Sequence, residues 1–225
     1  MKVEGQLLLG GASGIPDMTL VLEMQLQGNV LARNQTPLAL LIERAAAGET
    51  AAFEQIMTHS QPRVMAMSWR MLGNEADARD ACQEVFLRVY KHLSRFKQDQ
   101  DFFAWLYGIT VNVCRDSLKK RQRHNLRFTS LADEATEATL DISSHTVDAE
   151  QLLLQAQQRA VIAKAIATLP YKERASIILR DVEGLSTDEV ARVLKSSATT
   201  VRSQISAARK KIRNYCMHHL SEHSR

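Results

Sequence analysis

"LSTDEVARVLKSSATTVRSQISAARKKIR", residues 185–213, decides how this chain is read. Ser186 or Thr187 is placed to cap a short helix, and Glu189 stands where it can return the second bond of a capping box. Val190, Val193 and Leu194 form the inner face of that helix, and Ala191 is small where a second helix must cross closely. After a polar turn at Lys195 to Ser197, a longer helix puts Val201, Ile205, Ala208 and Ile212 on one stripe. Its other face carries Thr199, Arg202, Ser203, Ser206, Arg209 and Lys210. From Lys195 to Arg213 there are six bases and no acids. That combination reads as a helix-turn-helix: short polar side chains near the helix start reach base edges, while Arg and Lys meet phosphates. A plain helical hairpin with a solvated basic face has the same period. Charge asymmetry and turn spacing favour DNA.

Charge is organised along the rest of the chain too. Of its 225 residues, 45% are hydrophobic and 24% charged, with a net charge of +4, ordinary values for one large domain or two small ones. Residues 39–100 hold eight bases and eight acids, and residues 101–128 hold six bases against two acids. Residues 129–157 then carry six acids and no Lys or Arg, before thirteen bases and six acids from 158 to 225. Two basic modules flank an acidic connector.

Several function classes are disfavoured. The three cysteines, Cys82, Cys114 and Cys216, are odd in number and far apart, which is no disulfide framework and suits a reducing compartment. No apolar run reaches the length of a membrane helix, and the N-terminus is a poor signal peptide, so a cytoplasmic location without membrane insertion is expected. No Gly-rich phosphate loop, metalloprotease helix or nucleophile pair stands out, so no enzyme activity, cofactor or metal is expected. Cys216, His218, His219 and His223 form a small ligand-like group, read here as residues of a mobile tail.

The pattern is helical almost throughout from Thr36. Thr36 and Pro37 open a helix that Gly48 ends. A second runs to Gly73, with Pro62 expected to kink or divide it. Asn74 caps a third, through about Phe96, in which Cys82, Val85, Phe86, Val89, Leu93 and Phe96 recur at helical steps. The opposite face of that helix shows Asp80, Gln83, Glu84 and Leu87, a docking face for a basic partner or an ordinary solvated face with one stray Leu.

A fourth helix, "DFFAWLYGITVNVCRDSLKKRQR" at 101–123, is aromatic at one end and basic at the other. Phe102, Leu106, Ile109 and Val113 make a core stripe, with Trp105 roughly opposite Phe102 and Phe103. Arg115, Lys119, Lys120, Arg121 and Arg123 form a basic end denser than capping requires. Aromatic stacking plus a cationic track is the chemistry of single-strand capture, at about 1–3 kcal/mol per stacked base. Captured bases offset the few kcal/mol that unstacking costs, so a short bubble needs no fuel.

Taken in order, these segments resemble a bacterial sigma factor of the extracytoplasmic-function (ECF) group of the sigma-70 family, over about residues 38–215. "DARDACQEVFLRVYKHL" resembles the helix that docks on the clamp helices of core RNA polymerase, and "FAWLYGITVNVCRDSLKK" the helix that melts and reads the minus-ten element. "LPYKERASIILRDVEGLSTDEVARVL" with "TTVRSQISAARKKIR" resembles the minus-thirty-five-reading domain.

The resemblance implies two small helical domains, all-α, joined by an acidic flexible linker. It also implies an alternative sigma factor that binds core RNA polymerase, directs it to promoter DNA and opens the minus-ten region. A helix-turn-helix regulator acting without replacing the sigma subunit is the other reading. By position, Asp80, Gln83, Glu84 and Leu87 would face polymerase, and Trp105, Asn112, Arg115 and Lys119 the minus-ten DNA. The loop Lys97 to Asp101 matches where the family captures a flipped base. Thr199, Arg202, Ser203, Ser206 and Arg209 would meet the minus-thirty-five element. An anti-sigma factor is implied by the family alone.

The expected boundaries are an extension at 1–35, a first domain at 36–123, a linker at 124–148, a second domain at 149–215 and a tail at 216–225. Four positions depart from the family pattern. Arg79 replaces an acid, and Gly108 stands where a large or basic residue is common. Lys195 and Thr199 occupy places often held by Gly.

Overall fold

The computed structural model describes residues 36–97, 100–127 and 149–222. The expected extension at 1–35 and the stretch 128–148 of the acidic linker lie outside the described residues.

The first domain is built from α1 (Thr36–Ala46), α2 (Thr50–Leu72), α3 (Glu75–His92) and α4 (Phe102–Arg127). Gly73 ends α2 at φ 78°, its N–H donating to the Trp69 carbonyl at 2.8 Å. A residue with a side chain would be strained in that left-handed conformation. The Asn74 side chain then accepts the Asp77 N–H at 2.8 Å and starts α3. Pro62 does not divide α2, which runs unbroken from Thr50. The proline is exposed, so the carbonyl it leaves unbonded can be taken by water. At its other end α3 passes into a 3₁₀ turn at Leu93–Arg95.

Of the six positions expected to face inward from α3, the five from Cys82 to Leu93 are buried, and Phe96 is partly so. On α4 the buried face is wider than one stripe. Phe103, Tyr107, Val111 and Cys114 join Phe102, Leu106 and Val113, while Ile109 is only half-buried. The helix continues to Arg127, four residues beyond the expected end.

The second domain contains α5 (Ala149–Ala167), α6 (Tyr171–Ile177), a π-helical turn (Ile178–Val182), α7 (Thr187–Leu194) and α8 (Ala198–Glu222). Ser186 and Glu189 form the full capping box at the start of α7. Lys195 ends it at φ 50°, taking the left-handed conformation that a glycine would adopt freely. Val201, Ile205, Ala208 and Ile212 are buried along α8, as their spacing predicts. The segment expected as a tail is helical to Glu222, and Cys216 extends the buried stripe by one turn.

The two domains touch and share a continuous apolar core. The Tyr171 hydroxyl donates to the Val111 carbonyl at 2.8 Å, and the Arg174 guanidinium donates to the Met71 carbonyl at 2.7 Å. Arg70 of α2 lies 3.7 Å from the buried carboxylate of Glu183. Beside them, α7 rests on α4.

Candidate nucleic-acid interface

Trp105, Gly108, Asn112, Arg115 and Lys119 recur at alternating three and four residue steps and so form one face of α4. That face looks away from the buried one. Arg115 and Lys119 are exposed, Trp105 and Asn112 half-buried. Trp105 is less separate from the other aromatics than its spacing implied. Its ring lies 5.1 Å from Phe96 and 5.8 Å from Phe102, which fixes its orientation while leaving part of it open to solvent. The Asn112 side-chain amide donates to the Gly108 carbonyl at 2.8 Å, so one of its donors is used within the helix.

The basic end of α4 is partly neutralised. Arg121 pairs with Asp77 of α3 at 3.1 Å, leaving Arg115, Lys119, Lys120 and Arg123 as its more open charges. Deeper in the domain, Arg63 lies over the Phe103 ring at 4.6 Å, a cation–π contact that anchors α2 to the aromatic cluster. Tyr107 is almost fully buried beside it. Burial first, and the neighbouring Glu183 carboxylate second, push its phenol far above the usual range and keep it neutral.

On the outer face of α3, Asp80, Gln83 and Leu87 are exposed. Glu84 is not free in the same way. It accepts a 2.7 Å bond from Arg88, which raises the arginine's pKa, and Arg88 also reaches Asp116 of α4. The negative charge of this face therefore rests mainly on Asp80. Tyr90 is 60% exposed and extends the row of Gln83 and Leu87 by one step. Sequence reading missed it, although its place three residues after Leu87 was the available signal. Its ring meets the edge of Phe53 at 5.0 Å, so a large apolar group is held outward on a fixed support.

In the second domain, Thr199, Arg202, Ser203 and Ser206 all lie on the solvent side of α8. Ser197 starts that helix by accepting the Thr200 N–H at 3.1 Å. Arg209 has a second task. It donates both arms of its guanidinium to Asp181, at 2.8 and 2.7 Å, and Asp181 is buried in the π-helical turn. The bidentate bond raises the Arg209 pKa and leaves only the outer edge of the side chain for a phosphate. Nothing in the local sequence could have paired residues 28 apart.

The Cys216 and His219 side chains are separately employed. Cys216 points into the core, where burial raises its thiol pKa, and His219 packs its ring on Tyr215 at 5.2 Å. Among the described residues no group of three His, Cys, Asp or Glu could hold a metal ion, and His223 lies outside them.

Comparison with known proteins matches both halves of this arrangement. The Sigma-70 region 2 family model covers residues 56–124, and the Sigma-70, region 4 model covers residues 159–212. The ECF RNA polymerase sigma-E factor of Escherichia coli K12 is 32% identical over 179 residues, 78% of this chain and 92% of that protein. The chain belongs to the ECF sigma factors of the sigma-70 family. This sigma factor is therefore a transcription initiation factor that directs core RNA polymerase to promoters and opens the minus-ten region.

Solved structures agree. CnrH, in complex with the cytosolic domain of CnrY, has a TM-score of 0.54 and 27% identity over 79% of the sigma factor and 96% of the solved chain. The sigma factor RpoE from Bartonella quintana, in complex with the anti-sigma factor NepR, has a TM-score of 0.61 over 73% and 96% of the two chains. At 21% identity it shows the shared fold.

Proposed function

We propose that this sigma factor docks on core polymerase through Asp80, Gln83, Leu87 and Tyr90, with Glu84 as a weaker contributor because Arg88 already holds it. The minus-ten strand then lies along Trp105, Asn112, Arg115 and Lys119. Thr199, Arg202, Ser203 and Ser206 read the minus-thirty-five element, and Arg209 adds a phosphate contact from its outer edge. The observation carrying this assignment is the separation of faces: the acidic and apolar docking row lies on α3, and the aromatic-to-basic row lies on α4. An exposed Leu and Tyr beside an acid suit a partner that is basic at its rim and apolar at its centre.

The domain boundaries proposed are 36–127 for the first unit and 149–222 for the second, joined by the acidic connector. The molecule works in the cytoplasm, where its polymerase is, and performs no catalysis of its own. No described helix is long and apolar enough to cross a membrane. An anti-sigma factor is the proposed regulator, by analogy with the NepR-bound relative.

The test is to mix the purified sigma factor with sigma-free core polymerase and a promoter fragment, then assay transcription and strand opening. Asp80→Lys with Leu87→Ala should lower core affinity at least tenfold while leaving the melting temperature unchanged. Trp105→Ala should impair strand opening more than first promoter binding. Undiminished core affinity in the double variant would remove the docking assignment. Equal loss of opening and binding in Trp105→Ala would make Trp105 a packing residue only.

A further inference from the structure

The minus-thirty-five row of α8 is held by bonds from outside the helix-turn-helix. At about 100° per residue, Thr199, Arg202, Ser203, Ser206 and Lys210 share the outward face of α8, and Val201, Ile205, Ala208 and Ile212 share the buried one. Arg209 falls on one border between those faces, and Gln204 and Lys211 fall on the other.

Both borders are bonded. On the first, Arg209 donates to the two carboxylate oxygens of Asp181 at 2.8 and 2.7 Å, from a side chain 58% exposed to one 5% exposed. On the second, the Ser176 hydroxyl donates to the Gln204 amide oxygen at 2.7 Å, and Ser176 is fully buried. Lys211 reaches both oxygens of Glu173 at 2.8 and 2.9 Å on the same side. Glu173 and Ser176 belong to α6, and Asp181 to the π-helical turn that follows it. Turns of that kind recur at functional sites, and this one holds the carboxylate that α8 is bonded to.

The buried stripe of α8 is apolar, and apolar contact has no preferred direction, so it sets the depth of the helix better than its roll. Side-chain tips lie about 5–6 Å from a helix axis, so a roll of about 10° moves them by about 1 Å. That shift takes a hydrogen bond of about 2.9 Å beyond bonding reach. Desolvation offsets much of the attraction in a buried ion pair, whereas two parallel bonds from one guanidinium fix a direction. A bond on one border resists rolling in one sense, and bonds on both borders resist it in either.

We propose that Asp181 and Ser176 are positioning residues for minus-thirty-five reading. Through Arg209 and Gln204 they brace α8 from both sides and set the roll at which Thr199, Arg202, Ser203 and Ser206 meet the bases. The inference rests on the assignment of that row to DNA.

The experiment uses the full chain with core polymerase. Duplexes randomised over both promoter elements are selected on the wild-type holoenzyme and sequenced. The most enriched duplex, and the same duplex with its minus-thirty-five block scrambled, are the two probes. Each variant is put through the same selection, and both affinities are measured. Asp181→Asn should lower the ratio of the two affinities about tenfold, the discrimination that one base pair carries. It should do so by weakening preference at every minus-thirty-five position together, because a roll moves all the reading residues at once. Ser176→Ala, on the opposite border, should show the same diffuse loss. Arg209→Lys keeps the charge without the planar fork, and should show that loss with an unchanged salt slope. Arg202→Ala is the contrast, a lost contact that weakens preference at one or two adjacent positions.

A role in stability alone would lower the melting temperature, scale both affinities alike and leave the selected sequence as it was. Folded Asp181→Asn and Ser176→Ala proteins with wild-type preferences would therefore overturn the proposal. Should Asp181→Asn not fold, Arg209→Lys and Ser176→Ala decide it in the same way. Undiminished preference in Arg202→Ala would overturn the reading of the row and the proposal with it. Loss of preference in Arg202→Ala alone would overturn the bracing and leave the row as a DNA reader.

Discussion

Lys195 is the one non-glycine residue with positive φ among the described residues, at φ 50° and ψ 51°. For a residue with a Cβ that conformation costs roughly 1–2 kcal/mol, and the turn between α7 and α8 requires it. Lys195→Gly should recover about 1 kcal/mol after its own entropy cost in the unfolded chain, read as a rise of a few degrees in melting temperature. A second residue-scale consequence concerns alkaline pH. Burial pushes the Cys114 thiol from 9.0 up to about 12, and burial likewise raises Tyr171. Both folded states hold their protons more tightly than the unfolded chain does. Their stability contribution is therefore complete below pH 9 and declines as pH rises toward the folded values. Urea midpoints measured from pH 8 to 10.5 should fall above pH 9. Cys114→Ala should flatten that fall by up to about 1.4 kcal/mol per pH unit, after allowing for its constant packing cost.

Elements were legible in the sequence where one residue's fate depends on neighbours three or four places away. The stripe Val201, Ile205, Ala208 and Ile212 is buried as its period demands, and Ser186 with Glu189 closes the capping box that their spacing offers. Pro62 shows the limit of such rules, because its effect depends on which side of α2 faces water, and tertiary packing decides that. For the candidate site residues, solvent exposure was legible from the helical period and bonding partners were not. Arg202 and Arg209 look alike in sequence, yet only Arg209 is bound to a buried carboxylate 28 residues away. The two should separate experimentally. Arg209→Ala leaves Asp181 buried without its cation and should cost about 2–3 kcal/mol of stability, followed by thermal melting. Arg202→Ala should leave the melting curve nearly unchanged while weakening promoter binding and lowering its salt dependence by about one unit of slope.

At the scale of the whole molecule, the seam between the domains had no sequence signal. Its polar groups are separated by 60 residues for Tyr171 and Val111 and by 103 for Arg174 and Met71, and two of those groups are backbone carbonyls that any residue supplies. Arg174 is the most connected of them. Besides Met71, its guanidinium donates to the Leu169 carbonyl at 3.0 Å and to the Ala167 carbonyl. It thus satisfies carbonyls at the end of α2 and at the end of α5 together, groups a helix terminus cannot bond internally. Burial lowers its pKa, yet an arginine remains charged, so the cation is held there by those oxygens. With the shared core intact, the two domains should unfold in a single cooperative transition. Arg174→Ala removes bonds that together contribute about 3 kcal/mol and exposes the seam to water. The heat-capacity trace of the variant should split into two transitions, one for each domain, with the lower one moved by several degrees. A single transition shifted as a whole would mean that the apolar contacts alone couple the domains, and that Arg174 acts only as a cap within the molecule.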